Sequence, residues 1–447
     1  MAPADGVTLA AASRVWFRLG LVSFGGPAGQ IALLHREVVE DQRWLSERRF
    51  LHALNYCMVL PGPEATQLVT YLGFLMHGVM GGLVAGGLFL LPALGLLIGL
   101  ATVYALWGTL PLLASVFWAL KPAVLAIVLQ AAWRLGRRTL HHPFLALLAL
   151  GSFLGLTVVG MAYPLVVVLA ALAGWLAGRW RPRWVVLPDP PAPGLAEAPI
   201  SPVEAAPALH DDATATPPHA RASGASLAAV MLLWGLAFGV PLAGLSLIGG
   251  WNGLLAVMAR FFTQVALVCF GGAYAVLPYV AQAAVEQFGW LSAAQMVDGL
   301  ALGETTPGPL IMVVAFVGFM GGWSSGLFAP ASPWLGAVAA TLVVVWFTFL
   351  PSFGFILAGA PLVEASRGDL RLDAPLTAIT AAVVGVIASL AVLFAGPVLW
   401  PEGTLQPAGL GLALAALALL LRGGWGVTGL IALAAVLGMA RALVRGG

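Results

Sequence analysis

The chain has 447 residues, of which 61% are hydrophobic and 9% charged, with a formal net charge of +2 at pH 7. A water-soluble globule of this size needs far more polar surface, so the composition excludes a soluble protein and favours an integral membrane protein. Apolar runs long enough to cross a hydrocarbon core of about 30 Å recur, and alternating strands of about ten residues are absent. We therefore predict an all-α polytopic fold.

The predicted elements form two halves on either side of a polar segment. Residues 1–181 contain six apolar segments, near 14–34, 50–77, 79–106, 111–134, 144–160 and 162–180. Residues 182–226 are rich in proline and alanine, a composition typical of a disordered linker. An extra apolar segment follows at 227–249, and residues 250–447 contain six more, near 260–284, 296–322, 333–360, 375–398, 406–421 and 424–443.

The two halves resemble each other. A shift of 246 residues aligns "RVWFRLGLVSFGG" (14–26) with "RFFTQVALVCFGG" (260–272) and, without a gap, "LPGP" with "TPGP". Identical glycine, proline, tryptophan and arginine residues at matched positions argue against chance similarity between two apolar sequences, so we predict two homologous repeats. If each segment crosses the membrane once, the six segments and the extra one make an odd number of crossings before the second repeat begins. The second repeat would then start on the opposite side of the membrane and be inverted relative to the first, as in many secondary transporters. The arginines of the loops support this orientation only in part, and re-entrant half-helices would change the parity.

Each repeat interrupts its apolar segments twice, at "FGG" (24–26 and 270–272) and at "PGP" (61–63 and 307–309). Proline inside a helix costs about 3 kcal/mol or more and glycine about 1 kcal/mol, so "PGP" should end one helix and start another. Pro63 and Pro309 suit the first turn of the downstream half-helices. Free N–H groups and about half a positive charge would then point into the protein at membrane depth, which favours an anion site. The alternatives are a structural kink at "PGP" and a helix-packing glycine pair at "FGG".

Ionisable residues near the breaks are candidates for function because they are costly in lipid. Arg14, Arg260 and Lys121, the only lysine, would face either a bound anion or the headgroups. Glu304 is a better candidate than Glu64 for a proton-coupled or gating acid, because a carboxylate in a first helical turn simply favours the helix dipole.

Neutral side chains around the breaks would supply hydrogen-bonding groups; these are Asn55, Thr66, Gln67, Thr305 and Thr306. No metal-ligand, nucleophile or Walker motif and no basic stripe is present, so the sequence predicts no enzyme, no cofactor and no nucleic-acid partner. Cys57 and Cys269 lie in apolar segments and are interpreted as buried hydrophobic residues.

Residues 23–78 and 269–322 resemble the two signature regions of the chromate ion transporter family, in its long two-domain form. The likeness runs in order over nearly the whole chain except the linker. It implies a multi-pass secondary transporter of the bacterial inner membrane that exports chromate and confers chromate resistance. A carrier of sulfate or another oxyanion and a gated anion channel are the alternatives, and a homodimer in the bilayer is left open.

The resemblance also implies which residues form the substrate site. They are Phe24, Gly25, Gly26, Pro27, Pro61, Gly62, Pro63, Glu64, Gln67, Gly271, Gly272, Glu304, Thr305, Thr306, Pro307, Gly308 and Pro309. The second repeat departs from the first, because Ala273 replaces the proline that follows "FGG" and Leu310 stands where the first repeat has Glu64. We therefore expect the two half-sites to be chemically different.

Overall fold

The computed structural model describes residues 7–24, 26–185, 208–210, 217–220, 223–270, 272–328, 332–366, 373–422 and 425–446. Within these ranges the regular structure is helical, and the only β-type pairing is an isolated bridge between Leu45 and His210. The prediction of an all-α fold is confirmed.

The first repeat contains seven α-helices. They are α1 (Leu9–Val22), α2 (Gly26–His35), α3 (Glu47–Val59), α4 (Glu64–Trp107), α5 (Pro111–Thr139), α6 (Pro143–Leu154) and α7 (Tyr163–Trp180). A π-helical segment follows α2 (Arg36–Asp41) and another follows α6 (Gly155–Val159).

The extra helix α8 (Gly224–Gly249) precedes the second repeat. The helices of that repeat are α9 (Leu254–Leu267), α10 (Ala273–Gln282), α11 (Ala293–Thr305), α12 (Val313–Ser324), α13 (Pro333–Ser366), α14 (Asp373–Leu399), α15 (Pro407–Leu421) and α16 (Val427–Gly446). A π-helical segment (Ala283–Gln287) follows α10, and a short 3-10 segment (Leu310–Met312) leads into α12.

The repeats match element by element. Adding 246 to the bounds of α3 gives the bounds of α11, and the π-helical segments that follow α2 and α10 end at matched residues, Asp41 and Gln287. Ser46 and Ser292 are N-caps at matched positions, and each side chain accepts a hydrogen bond from the backbone N–H three residues later. The predicted two-repeat layout is confirmed, whereas the inversion of one repeat relative to the other stays a prediction.

Helix α4 folds back on itself at His77 and Gly78, where the backbone leaves helical geometry. A Cβ at Gly82 would lie 3.0 Å from the carbonyl oxygen of Thr70. In a straight helix these two residues would be about 18 Å apart. The structure therefore contains an antiparallel helical hairpin here, as the predicted boundary between segments 50–77 and 79–106 requires.

The second repeat forms the same hairpin from α12 and α13. A Cβ at Gly318 would lie 3.1 Å from both the carbonyl oxygen of Ala340 and the Cα of Thr341. Glycine at this position lets the two helix backbones approach closely.

Seven helices in the described part of the chain are long and apolar enough to cross a membrane: α4, α5, α7, α8, α13, α14 and α16. The helices beside the breaks are shorter. The four helices α1, α2, α3 and α11 have 14, 10, 13 and 13 residues. At 1.5 Å per residue each is well below the roughly 30 Å of the hydrocarbon core. The predicted segments 14–34 and 50–77 are thus each divided into half-helices.

The repeats interlock through their long helices. Helix α5 of the first repeat packs against α15 and α16 of the second, and α14 packs against α6 and α7. Small residues mark these contacts: a Cβ at Gly438 would lie 2.5 Å from the Cα of Val116, and one at Gly174 would lie 2.5 Å from the Cβ of Ala378. Neither repeat is therefore packed mainly on itself.

Two short pieces of the predicted linker contact the first repeat. The backbone N–H groups of Leu209 and His210 donate to the carbonyl oxygens of Arg43 and Trp44, each at 3.0 Å. The Nε2 atom of His219 lies 3.1 Å from the carbonyl oxygen of Phe74, beside the turn of the α4 hairpin. The remaining linker residues 186–207, 211–216 and 221–222 lie outside the described residues, and so does the prediction of disorder for them.

Candidate functional site

The "PGP" segments break the helices in both repeats. Helix α3 ends at Val59 and α4 begins at Glu64, while α11 ends at Thr305 and the next helical residue is Leu310. Pro63 and Pro309 have extended backbone and are N-cap residues, so the prediction that they lie within the first helical turn is wrong by one position.

Glycine is required between the two prolines of each break. Gly62 has a φ of +132° and Gly308 a φ of +107°, a region that residues with a Cβ rarely adopt. This conformation turns the backbone N–H of each glycine away from its own helix and toward the other repeat.

The breaks of the two repeats exchange hydrogen bonds. The N–H of Gly62 donates to the carbonyl oxygen of Cys269 at 2.7 Å, and the N–H of Gly308 donates to that of Ser23 at 2.8 Å. These donors and acceptors are matched under the shift of 246 residues, so the contacts follow a pseudo-twofold relation. The "FGG" break of each repeat thus closes the "PGP" break of the other. The amides of these two glycines are therefore not available to an anion in this conformation, because each already has a carbonyl partner.

Within the described residues, the helices that follow the breaks, α4 and α10, begin without a side-chain cap on their first-turn N–H groups. The first intrahelical bond of α4 runs from the N–H of Gln67 to the carbonyl oxygen of Pro63, at 3.0 Å. The preceding N–H groups in the first turn of α4 have no side-chain cap, since the N-cap is proline. The N-cap of α10 is Gly272, which also provides no side chain. The first-turn amides, rather than those of the two glycines, are therefore the candidate donors for an anion.

Two glutamines of the first repeat hold the carbonyl groups of the breaks. Gln30 Nε2 donates to the carbonyl oxygen of Gly308 at 2.6 Å, and Gln67 Nε2 donates to that of Pro61 at 2.9 Å. Both glutamines are buried, and the matched positions in the second repeat are Val276 and Val313. The half-sites are therefore chemically different, as expected, and Gln30 is a residue that the sequence reasoning missed.

Several buried polar atoms beside the breaks have no hydrogen-bond partner within the described residues. They are Ser23 Oγ, Thr66 Oγ1, Gln67 Oε1 and Ser352 Oγ. Ser352 lies on α13 directly against Gly62. A buried polar group without a partner costs about 1–3 kcal/mol, so such a cluster indicates a place that a ligand or water satisfies. Ser23 and Ser352 were also missed, although Ser352 follows a proline inside an apolar run.

A small cleft lies at the break of the second repeat. Its walls include Gly26 at the start of α2, Gly303 and Glu304 near the end of α11, Leu310, and Thr428 of α16. Its free volume is about 10 Å³, which is room for about one water molecule. The cleft brings together three helix N-termini, those of α2, of the 3-10 segment that leads into α12, and of α16, which favour an anion, and one carboxylate, which opposes it.

Glu304 is held by a hydroxyl group in the cleft, because Tyr274 Oη donates to its Oε1 atom. The two threonines that follow serve their own helix. Thr305 Oγ1 donates to the carbonyl oxygen of Leu302 at 2.7 Å, and Thr306 Oγ1 donates to that of Gly303 at 3.0 Å. Their hydroxyl hydrogens therefore cap the end of α11, and only their oxygen atoms remain as acceptors.

The structure separates the predicted basic candidates. Arg14 is exposed, and Arg260 lies 4.0 Å above the ring of Trp251, so neither arginine reaches the breaks. Lys121 Nζ lies 3.3 Å from Oδ2 of Asp298, a buried acid that the sequence reasoning did not select.

The other predicted site residues differ in exposure and in what they contact. Asn55 is exposed on α3 and the side chain of Phe24 is 42% exposed. Pro27 adjoins the opposite "FGG" break, since a Cβ at Gly272 would lie 3.9 Å from its Cγ atom. Gly25 and Gly271 lie outside the described residues. Within the described ranges no group of three or more His, Cys, Asp or Glu residues could hold a metal ion.

Comparisons with known proteins agree with this architecture. The profile of a family described as "Chromate transporter" matches residues 10–175 and 256–439, one region in each repeat. A "Chromate transport protein" from Pseudomonas aeruginosa is 34% identical over 377 residues, covering 83% of this chain and 77% of the relative. One of the same name from Cupriavidus metallidurans is 27% identical over 382 residues, covering 85% and 81%. A "Probable chromate transport protein" from Synechococcus elongatus is 26% identical, also over 382 residues, covering 85% and 83%.

No solved structure matches the chain. The family match spans most of the sequence, includes both pairs of breaks and leaves out most of the segment between the repeats. The chain therefore belongs to the chromate transporter family.

Proposed function

We propose that this protein carries chromate, a tetrahedral dianion, outward across the bacterial cytoplasmic membrane and so confers chromate resistance. The observation that carries the proposal is the reciprocal pairing of the breaks, Gly62 with Cys269 and Gly308 with Ser23. It supports a shared region between the interrupted helices of both repeats, because irregular backbone within a membrane protein normally lines a pathway. The family and the printed names of the relatives supply chromate as the substrate.

The site suits an oxyanion because its donors are neutral. First-turn amides of α4 and α10, together with the buried hydroxyl groups of Ser23 and Ser352, can surround an anion without a bare positive charge. Glu64 and Glu304 lie beside the breaks, so each must be paired or protonated while a dianion occupies the site. Protonation of one of these acids would make chromate transport depend on pH.

The cleft at the break of the second repeat is closed in this conformation, as expected of a carrier between transport steps and equally of a closed gated channel. A volume of about 10 Å³ holds about one water molecule and is too small for a tetrahedral oxyanion. The described conformation must therefore widen before it accepts a substrate. A single interrepeat hydrogen bond at each break is a modest barrier to such widening, at about 0.5–1.5 kcal/mol each.

The membrane potential suffices for export. Each elementary charge is worth about 2.3 kcal/mol per 100 mV, so an inside-negative potential of that size drives a dianion outward with about 4.6 kcal/mol. This corresponds to a concentration ratio of more than about a thousandfold without a coupled proton.

The test is chromate flux in proteoliposomes, with and without an imposed potential, for wild type, Pro61→Ala and Pro307→Ala. Each substitution removes the proline that follows the upstream helix and so loosens the geometry of its break, and we expect initial flux to fall by about tenfold or more, the factor for each 1.4 kcal/mol of lost interaction. Pro143→Ala, at the start of α6, is the matched control and should transport normally.

Three results would contradict the proposal. Flux that ignores the sign of the potential would exclude electrogenic export of a dianion. Complete suppression by a small excess of sulfate would make sulfate the better substrate. Unitary currents in a planar bilayer would indicate a gated channel instead of a carrier.

A further inference from the structure

A buried ion pair joins the two repeats away from the cleft. Lys121 Nζ on α5 lies 3.3 Å from Asp298 Oδ2 on α11, and Tyr104 Oη of α4 donates to the same carboxylate oxygen at 2.9 Å. Phe117 and Phe316 pack edge-on against Tyr104, with ring centroids 5.0 and 5.3 Å away. The ion pair, the tyrosine and its aromatic neighbours thus connect α4 and α5 of the first repeat with α11 and α12 of the second.

The two partners are not equally enclosed. The side chain of Lys121 is 23% exposed, whereas that of Asp298 is 5% exposed. Asp298 Oδ1 has no hydrogen-bond partner within the part of the chain that the structure describes. One oxygen of the carboxylate is therefore paired and the other is not, while the Lys121 side chain is partly exposed and its ammonium group has further N–H donors to offer.

The pair lies next to the proposed anion pathway. Asp298 precedes Glu304 by six residues on α11, or about 9 Å along the helix axis. Helix α5, which carries Lys121, packs against α11 and α16, and both of these helices line the cleft. Among the cleft residues the one with a formal charge is Glu304, so the cleft contains no cation of its own.

Neutral donors can surround an oxyanion, and a cation beside them would strengthen the binding of a dianion in a region of low dielectric; Lys121 is the only lysine of the chain. The attraction within a buried ion pair barely exceeds the cost of desolvating its members. Exchange of one anionic partner for another keeps the cation paired but leaves Asp298 buried and unpaired, and that free-energy cost opposes substrate binding and returns Lys121 to the acid.

We propose that Lys121 determines the affinity for divalent oxyanions: its ammonium group pairs with Asp298 when the pathway is empty and with the oxyanion when it is occupied. Asp298 then competes with the substrate for the same cation and promotes its release. This inference deepens the proposed function and rests on it. The purely structural alternative is a contact that fastens α5 to α11 and never meets the substrate.

The experiment measures equilibrium binding of chromate to the purified full chain in detergent, at fixed pH and ionic strength. The variants are Asp298→Asn, Lys121→Met and the double variant. Asp298→Asn keeps an oxygen for Tyr104 but frees the ammonium group, so we expect binding about tenfold tighter, the size of one charged hydrogen bond. Lys121→Met should weaken binding by about the same factor. The double variant should bind as weakly as Lys121→Met, because removing the competitor is useless without the cation.

The sign of the Asp298→Asn effect separates the two roles, since a structural contact predicts weaker or unchanged binding when it is broken. Weaker or unchanged binding by a folded Asp298→Asn variant would overturn the inference. Lys121→Met leaves a buried carboxylate unpaired, which can prevent folding. The double variant has no unpaired charge and tests the same point: if it bound chromate with wild-type affinity, the inference would be overturned. Failure of the wild type itself to bind chromate would instead refute the proposed function.

Discussion

Replacement of Gly308 by alanine tests whether the break of the second repeat has the geometry that closes the pathway. Gly308 has a φ of +107°, and a Cβ there would lie 2.5 Å from the Cβ of Ala93 on α4. Strain of a residue with a Cβ in this region costs about 1–3 kcal/mol, and overpacking adds about 1–3 kcal/mol. We therefore expect Gly308→Ala to destabilise the protein by about 2–6 kcal/mol.

The assay is thermal unfolding of the detergent-solubilised protein, followed by loss of the monodisperse peak in size-exclusion chromatography. For 447 residues an unfolding entropy of about 2.1 cal/mol/K per residue converts 1 kcal/mol into about 1 °C, so the melting temperature should fall by about 2–6 °C. Gly95→Ala is the matched control, because this helical glycine of α4 has open space around it. It should leave the melting temperature unchanged or raise it by up to about 1 °C.

A second substitution separates the two parts of the effect. Ala93→Gly removes the atom that the new Cβ would meet, so Gly308→Ala should cost less in the Ala93→Gly background than in the wild type. The strain from the positive φ should persist. Equal melting temperatures for Gly308→Ala and Gly95→Ala would refute the described geometry of the break, and an unchanged cost in the Ala93→Gly background would refute the contact with α4.

Two further predictions concern polar groups at the breaks. Ser352→Ala removes a buried hydroxyl without a partner, so the substrate-free protein should melt about 1–3 °C higher while chromate flux falls; a lower melting temperature would mean that the hydroxyl is satisfied. Glu304→Gln keeps an acceptor for Tyr274 but cannot exchange a proton, so the dependence of chromate efflux on external pH should flatten relative to Glu64→Gln. An unchanged pH response would remove Glu304 from any proton path.

The breaks themselves could be predicted because proline and glycine act locally. Pro61 and Pro307 end their helices whatever packs around them, since the ring removes a donor and clashes with the preceding turn. The partners of the intervening glycines could not be predicted in this way. Gly62 meets Cys269, 207 residues later, and Gly308 meets Ser23, 285 residues earlier. No local property of a break specifies a contact at that distance in the sequence.

The ion pair between Lys121 and Asp298 shows a second limit of prediction from the sequence. Lys121 was selected from the sequence, but Asp298 was not, although a carboxylate inside an apolar segment was itself a signal. Helices that are apolar on all sides carry no periodicity that indicates which face meets which neighbour. The pairing of α5 with α11 therefore became visible only from the coordinates.

Segment lengths were overestimated for a related reason. Residues 14–34 and 50–77 are each long enough to span a bilayer, and hydrophobicity alone does not distinguish one spanning helix from two half-helices. The structure divides the first at the "FGG" break and the second at "PGP". The prediction of broken helices was correct. The count of membrane crossings assumed that each apolar segment is one intact helix, and that assumption does not hold for these two segments.

The π-helical segments that follow α2 and α10 each contain one residue more than an α-helical turn needs, so the helix register could change there. A π turn contains one residue more than an α turn, and the matched bonds Gln42 N–H to Glu37 O and Phe288 N–H to Ala283 O, at 2.9 and 2.8 Å, enclose that spare residue. Passing it into the adjoining loop would slide the helix by about 1.5 Å and turn it by about 100° without unravelling it. Both repeats contain this spare residue at the same place, one helix away from the breaks, so a change of helix register there would not require either helix to unfold.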